Sequence, residues 1–275
     1  MPDKDLELSP EVLNILLCDH TTGKNIFWAT HDYEALGSEY DYHSQILPEL
    51  ITGEHGMVIR PRVLKSKEQQ TDRAKDMAEV FTPSWICDAQ NNLVEAPLLS
   101  PQGGKEWRDY VRTTCLEITC GEAPYLVSRY DTTTGEPIPL EKRIGLLDRK
   151  LRVVSRNTNT SADWLEWAEV AYKNIYGYEW QGDNLLLARQ NMLFSFIEYH
   201  EAKFATLPPE EAICRIAEII SWNLWQMDGL RGVPPDYPSP GELHDNPIPD
   251  MFTTYCVIRD WENDEKIRFI DLINK

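Results

Sequence analysis

Residues 116–126 read Leu116-Glu117-Ile118-Thr119-Cys120-Gly121-Glu122-Ala123-Pro124-Tyr125-Leu126. The first residues predict a buried strand, and the small residues after it predict a turn flanked by two acids. In an α/β sheet the carboxyl end of a strand is where a cofactor usually binds. This stretch therefore predicts both the fold class and the position of a candidate binding site.

The composition limits the class of protein. The chain has 275 residues with 42% hydrophobic content, which suits one large domain or two small ones. No apolar run is long enough for a membrane span, and the acidic N-terminus has no hydrophobic region of a signal peptide. Six cysteines without a CxxC pair indicate reduced thiols. We therefore expect a cytoplasmic protein without a membrane partner.

The net charge of −18 bears on possible partners. An acidic chain is not expected to bind DNA strongly and non-specifically by itself. We interpret the negative charge mainly as a source of solubility, and prefer this to a role in mimicking DNA. One basic stretch, from Lys65 to Met77, predicts either a solvated helix face, which we favour, or a local contact with DNA phosphates. Its four basic residues are Lys65, Lys67, Arg73 and Lys75.

The periodicity predicts alternating strands and helices. Strand-like segments at 115–119, 175–180 and 223–227 are separated by helical patterns, which indicates a parallel sheet in a doubly wound α/β fold. Residues 1–62 are expected to form a small α/β extension, 63–231 a cofactor-binding domain, and 232–275 a Pro-rich loop and a β-hairpin. The predicted helices are a short one from Pro10 capped by Ser9, then Pro83–Val94, Glu106–Thr113, Leu140–Val154, Ser161–Asn174 capped by Ser161, Asp183–Phe204 and Pro208–Ser221. Further extended segments are predicted at Asn25–Thr30, Val58–Val63, Thr254–Trp261 and Lys266–Ile273.

Acidic residues follow the three strand-like segments. Glu117 lies at the end of the first, Glu179 at the end of the second and Asp228 after the third. Small residues such as Gly121 let backbone N–H groups approach a ligand, and a carboxylate can accept hydrogen bonds from both ribose hydroxyls. Taken singly, an acid at the end of a strand is common in turns and does not indicate a binding site. Their common placement predicts a nucleoside-binding site.

Four segments together resemble one enzyme family. Val80-Phe81-Thr82-Pro83 resembles an F-T-P motif, and residues 116–126 resemble a motif written D-P-A-C-G-S-G-x-F-L. Ile175–Asn191 and Gln226–Leu230 resemble the second and third motifs of that family. The chain is thus similar to S-adenosylmethionine-dependent N6-adenine DNA methyltransferases, in particular modification subunits of restriction systems.

The resemblance implies a fold, a cofactor and its contacts. The fold is a Rossmann-like class I methyltransferase core, incomplete in its C-terminal half, and the cofactor is S-adenosylmethionine. In the family the F-T-P motif packs on the methionine end, the acid of the second strand holds the ribose, and the Asp of the third motif meets the adenine amine. The implied cofactor-binding residues are Phe81, Thr82, Pro83, Glu117, Thr119, Cys120, Gly121, Glu179, Trp180 and Asp228.

The chain also departs from the family. Glu122 and Ala123 replace a Ser and a Gly, and we expect a Glu near the cofactor's carboxylate to weaken binding. The N-P-P-Y or D-P-P-Y segment that holds a flipped adenine is missing, because neither Pro208-Pro209 nor Pro234-Pro235 has the required neighbours. No catalytic residue is therefore assigned. Transfer would need a second protein chain or a homo-oligomer that completes the sheet, with DNA bound through that partner. A catalytically inactive interaction or regulatory protein stays the alternative.

Overall fold

The computed structural model describes residues 8–76, 82–98, 106–235, 237 and 253–273. Its N-terminal part begins with helix α1 (Pro10–Leu17), where the Ser9 side chain accepts a hydrogen bond from the Val12 N–H, as predicted for the cap. Strands β1 (Cys18–Asp19) and β2 (Lys24–Asn25) form a short antiparallel pair.

The remaining elements follow in chain order. They are α2 (Lys67–Asp76), α3 (Ser84–Glu95), α4 (Trp107–Val111), β3 (Cys115–Glu117), α5 (Leu146–Asn157), α6 (Ser161–Lys173), β4 (Ile175–Glu179), α7 (Gly182–Phe204), α8 (Glu210–Asn223), β5 (Leu224–Gln226), β6 (Val257–Asp260), β7 (Glu265–Arg268) and α9 (Ile270–Ile273). The protein is therefore mixed α/β, and most of the predicted helices and strands are present within a few residues of their expected bounds.

The central sheet has three parallel strands in the order β3-β4-β5. Leu116 is in register with Tyr176, and Tyr178 with Trp225. Helices α5 and α6 connect the first two strands, and α7 and α8 connect the last two. The predicted parallel sheet is confirmed, and the carboxyl ends of its three strands lie along one edge.

The two faces of the sheet are covered differently. Ile175 and Leu224 belong to the main hydrophobic core, which is built largely from the helices. Tyr178 and Trp225 point to the other face, where they pack with Phe269 and other residues of the β6–β7 hairpin. The doubly wound arrangement is thus observed only in part, because an antiparallel hairpin covers the second face of β4 and β5.

Strands β3 and β5 are the two edges of this sheet within the described residues, and each pairs with β4 alone. All three residues of β5 are buried, whereas β3 is partly exposed. Leu116 in this strand is 45% exposed, and Ile118, directly after the strand, is 62% exposed. The prediction of a buried strand here was wrong. The hairpin packs against β4 and β5 and leaves these two side chains in contact with solvent.

The N-terminal segment shares the main core with the helices. Leu16, Ile26 and Trp28 are fully buried in the same cluster as Leu185 and Leu193 of α7. The guanidinium of Arg189, also buried, donates to carbonyl oxygens near the ends of α1 and α8. These contacts join the N-terminal segment around Leu16–Trp28 to the sheet-bearing part of the chain, and the division at residue 62 stays a prediction.

Several predicted boundaries are corrected. Thr160 and not Ser161 caps α6, since its side chain accepts from the Asp163 N–H at 3.1 Å. Residues Leu140–Lys142 form a separate 3₁₀ turn before α5. The segment 58–63 is not a strand and leads into a 3₁₀ turn at Arg62–Leu64, while the strand predicted at 25–30 shortens to β2 and one bridge between Phe27 and Gln45. The last predicted strand ends at Arg268, and α9 follows.

No helix among the described residues is long and apolar enough to cross a membrane.

Candidate functional site at the strand ends

The turn after β3 has an unusual backbone. Thr119, Gly121 and Ala123 have positive φ angles of 47°, 54° and 62°. Glycine adopts this conformation freely, whereas a β-branched or other non-glycine residue is held there at a cost of about 1–3 kcal/mol. Such strain persists only where the surrounding structure imposes it, and it is concentrated at functional sites. The turn is therefore a candidate site on its backbone geometry alone.

Strand β4 holds this turn in place. The Cys120 N–H donates to the Tyr178 carbonyl at 2.9 Å, and the Gly121 N–H donates to Oε2 of Glu179 at 2.8 Å. Cys120 is buried beneath the turn. The structure thus brings together four of the residues predicted from the sequence, namely Glu117, Cys120, Gly121 and Glu179.

Glu179 is a buried acid at the end of β4, with 9% of the residue exposed. Its Oε1 accepts the Gln181 N–H at 3.2 Å, so both carboxyl oxygens are held by backbone donors. Burial raises the pKa of Glu179 above its usual range, although the N–H groups of Gly121, Gln181 and Trp180 act to lower it. The orientation of this carboxyl is therefore fixed by the two turns on either side of it.

Glu117 carries the second carboxyl of the site. Its Oε1 accepts the Tyr125 N–H at 3.4 Å, and its buried Oε2 has no hydrogen-bond partner among the described residues. Burial raises the pKa of Glu117 well above its usual range, although the Tyr125 and Leu126 N–H groups act to lower it, and the nearby Glu179 raises it further. A buried acceptor without a donor costs about 1–3 kcal/mol. The pair of carboxyls therefore suits a ligand that brings a cation or hydroxyl donors.

The F-T-P segment lies beside the same turn. The Cys87 thiol, on α3, donates to the Thr82 carbonyl at 3.6 Å, and Asn91 donates to the Tyr125 carbonyl at 3.0 Å. Burial, followed by the charge of Glu117, raises the pKa of Cys87 to about 12. Pro83 precedes the first residue of α3 as its N-cap. Thr82 and Pro83 are thus near the turn, and Phe81 lies outside the described residues.

Glu122 does not take the place that we expected. Its carboxylate accepts the Arg62 N–H at 2.7 Å and the Tyr130 hydroxyl, and only 2% of the residue is exposed. Asn191 donates to its backbone carbonyl at 3.2 Å. Because these contacts engage the side chain, Glu122 anchors the turn and is not free to face a ligand.

Trp180 and Asp228 flank the site. The Trp180 indole N–H donates to the Tyr42 hydroxyl at 3.0 Å, which joins the end of β4 to the N-terminal segment. Asp228 accepts the Leu230 and Arg231 N–H groups at 2.8 and 3.2 Å, so its carboxylate caps its own loop. Asp228 therefore lies one strand beyond the Glu117–Glu179 pair, and its carboxylate stabilises the loop in which it lies.

The predicted solvated helix face is observed only in part, because Lys67 and Lys75 are exposed whereas the other two basic residues are buried. Lys65 and Arg73 are buried and both bind the Asp183 carboxylate in the first turn of α7, with N–O distances of 2.8 and 3.0 Å. These two cations are neither solvated nor available to DNA. Burial alone would raise the pKa of Asp183, but Lys65 and Arg73 lower it far below its usual range. No sequence spacing signals this contact, because the partners are 118 and 110 positions apart.

The comparisons with known proteins add no family assignment. No protein-family model, no curated protein and no solved structure matches this chain.

Proposed function

We propose that the chain binds S-adenosylmethionine at the carboxyl ends of β3, β4 and β5, as a component of a DNA adenine-N6 methylation system. The cofactor would supply the methyl group. Glu117 would meet the ammonium group, Glu179 the ribose hydroxyls, Trp180 the adenine ring and Asp228 its amine. Residues Phe81–Pro83 would pack on the methionine end, and the backbone of Thr119, Cys120 and Gly121 would form the floor.

One observation carries the proposal. The carboxyls of Glu117 and Glu179 lie near enough for their charges to interact, beside a turn with positive φ angles, and the buried Oε2 of Glu117 lacks a hydrogen-bond donor among the described residues. A ligand with an ammonium group and two adjacent hydroxyls provides the donors that this pair needs. The nearby Thr82 and Pro83 add support, because the resemblance places this segment at the same end of the cofactor.

Methyl transfer would require a partner. The 275 residues contain no N-P-P-Y segment, so a second protein chain or a second copy would hold the target adenine and contact the DNA. The open edge of β3 is where such a chain could extend the sheet. A DNA-modifying role would also place the protein in the cytoplasm, where its six free cysteines would stay reduced.

The hydrogen bonds and burial of Glu179 favour a second candidate function, that of a catalytically inactive interaction or regulatory protein. Both of its carboxyl oxygens already accept backbone N–H groups, and the residue is nearly inaccessible. A ribose would reach this carboxyl only after the turn at Gly121 or the Gln181 peptide moves. In this alternative the acid serves only to hold the turn.

Calorimetric titration with S-adenosylmethionine separates the two candidates. We expect the wild type to bind and Glu179→Gln to bind at least about tenfold more weakly, since hydrogen bonds to a charged group contribute about 1.5–3 kcal/mol each. The matched control is Glu169→Gln on α6, whose carboxylate pairs with Lys173 and Arg215 outside the site. No heat at millimolar cofactor with the wild type would reject the first candidate.

A further inference from the structure

A buried ionic network lies directly behind the Glu179 acid. Oδ2 of Asp183 accepts from Lys65 Nζ at 2.8 Å, from Arg73 Nη1 at 3.0 Å and from the Tyr33 hydroxyl at 2.8 Å. The side chains of Asp183 and Arg73 are fully inaccessible. Three parts of the chain thus converge on the first turn of α7: the N-terminal segment, the stretch 65–76 and the end of β4.

Arg73 makes a second contact in this network. While Nη1 binds Asp183 and Asp32, Nη2 donates to Oε1 of Gln181. Asn184 donates to the same Gln181 oxygen at 2.9 Å, and only 4% of Gln181 is exposed. The backbone N–H of Gln181 in turn donates to Oε1 of Glu179. Gln181 therefore links the two groups: its side chain accepts from the guanidinium, and its backbone N–H donates to the Glu179 carboxyl.

Charge stabilisation alone does not account for this arrangement. Well-packed apolar side chains can replace a buried ionic cluster with little loss of stability, whereas a planar guanidinium adds a fixed two-pronged geometry. Lys65 already neutralises Asp183. What Arg73 adds is a rigid connection between Asp183 and Gln181, the two residues on either side of Gly182.

We propose that Arg73 is a positioning residue that fixes the Gln181 peptide and, through it, the orientation of the Glu179 carboxyl towards the ribose of a bound nucleoside. The ribose part of this inference rests on the proposed function, and the positioning of Glu179 does not. Arg73 acts through Gln181 and would not touch the ligand.

The decisive variant is Arg73→Lys, which keeps the positive charge for Asp183 but has one nitrogen in place of the two that bridge Asp183 and Gln181. We expect the backbone N–H of Gln181 to exchange its hydrogen about tenfold faster, measured by NMR without ligand, because the local structure opens more readily. The Cys120 amide, bonded to the Tyr178 carbonyl, is the internal reference and should stay protected.

Two further variants keep the test decisive. Lys65→Met removes a cation from the same network without touching Gln181, so it should lower stability and leave the Gln181 amide protected. Gln181→Leu removes the acceptor of Arg73 and should speed hydrogen exchange at the backbone N–H of residue 181, as Arg73→Lys does. It therefore keeps the test possible if Arg73→Lys folds poorly. Equal loss of protection in Arg73→Lys and Lys65→Met, or no loss in Arg73→Lys and Gln181→Leu, would overturn the proposal.

A ligand arm tests the ribose part separately. The wild type should bind S-adenosylhomocysteine more tightly than its 2′-deoxy counterpart, and Arg73→Lys should lose most of that preference. An unchanged preference in Arg73→Lys would overturn the link to the ribose. If the wild type binds neither compound, the proposed function fails, and the amide measurement still decides whether Arg73 positions Glu179.

Discussion

Glu117 is the residue whose environment departs most from what its position in the sequence suggests. A strand-end acid is expected to face solvent or a ligand, yet Oε2 of this one is buried without a donor and lies close to a second carboxyl. Two like charges in one buried site do not ionise together readily. The free protein is therefore expected to keep a proton on Glu117 that a cationic ligand would displace.

This proton gives the first prediction, a fall in stability with rising pH. The pKa of Glu117 is raised above the ordinary 4.5, so the folded state binds its proton more tightly than the unfolded chain. The contribution to stability is full below that ordinary value and is lost as the pH rises towards the raised pKa. In Glu117→Gln the pH slope should become shallower by the share due to Glu117, which urea unfolding between about pH 5 and 8 would measure. Glu179 and Asp148, whose pKa values are also raised by burial, keep the rest of the slope.

Asp131 offers a control of opposite sign. Burial acts to raise its pKa, but hydrogen bonds from Ser84 and Thr133 lower it below the usual range. Asp131→Asn should therefore lose stability near neutral pH, and the difference from the wild type should shrink as the pH falls through the lowered pKa. An unchanged pH slope in Glu117→Gln would contradict our description of the Glu117 site.

At the scale of elements, the closest backbone approach between helix α7 and the segment around Phe27 is at Gly182. The Gly182 N–H donates to the Trp28 carbonyl at 3.0 Å, and a Cβ atom at this position would lie 1.9 Å from the Phe27 carbonyl oxygen. Gln226 also binds the Phe27 backbone through both its amide oxygen and its nitrogen. The end of β4, the start of α7 and the segment around Phe27 therefore depend on one close backbone approach.

Gly182→Ala should push this segment away from α7. We expect a loss of about 2 kcal/mol or more in the free energy of unfolding, since backbone atoms on both sides must shift. Hydrogen exchange should rise at Trp28 and Gln181 before the rest of the protein opens. Gly177→Ala is the matched control, because its Cβ would meet its nearest neighbour at an ordinary 3.4 Å. Equal effects of the two substitutions would argue against a special role for Gly182.

At the scale of the whole molecule, β3 is an exposed edge strand of the described sheet in a strongly acidic protein. Strand β3 presents Leu116 and Ile118 to solvent, while the net charge of −18 opposes the approach of a second copy at low salt. We therefore predict weak self-association through β3 that strengthens as salt screens the repulsion. Sedimentation velocity at two salt concentrations would measure it.

The double variant Leu116→Lys, Ile118→Lys should abolish this association. Leu230→Lys is the control, because Leu230 is 95% exposed in the loop after β5 and away from the β3 edge. Association that survives the double variant would show that another surface is used. A wild type that stays monomeric at every concentration and salt would leave a different protein chain as the proposed partner at this edge.

Much of the architecture was predictable, because it depends on local pattern. The helices and strands repeat with their own periods, and acids after successive parallel strands must share one edge of the sheet. Glu117, Gly121 and Glu179 were therefore placed together correctly. The exposure of Leu116 and Ile118 was not predictable, since an apolar run does not show whether a neighbouring element covers it.

By itself, the sequence determined the parallel sheet, the position of the turn after its first strand and the acids at the strand ends, because these follow from spacing along the chain. Only the tertiary structure decided what each acid does. The Glu122 carboxylate accepts hydrogen bonds from Arg62 and Tyr130. Asp183 binds Lys65 and Arg73, which are more than a hundred positions away in the sequence. Such pairings form when separate elements pack together and bury the charges, and no local spacing encodes them.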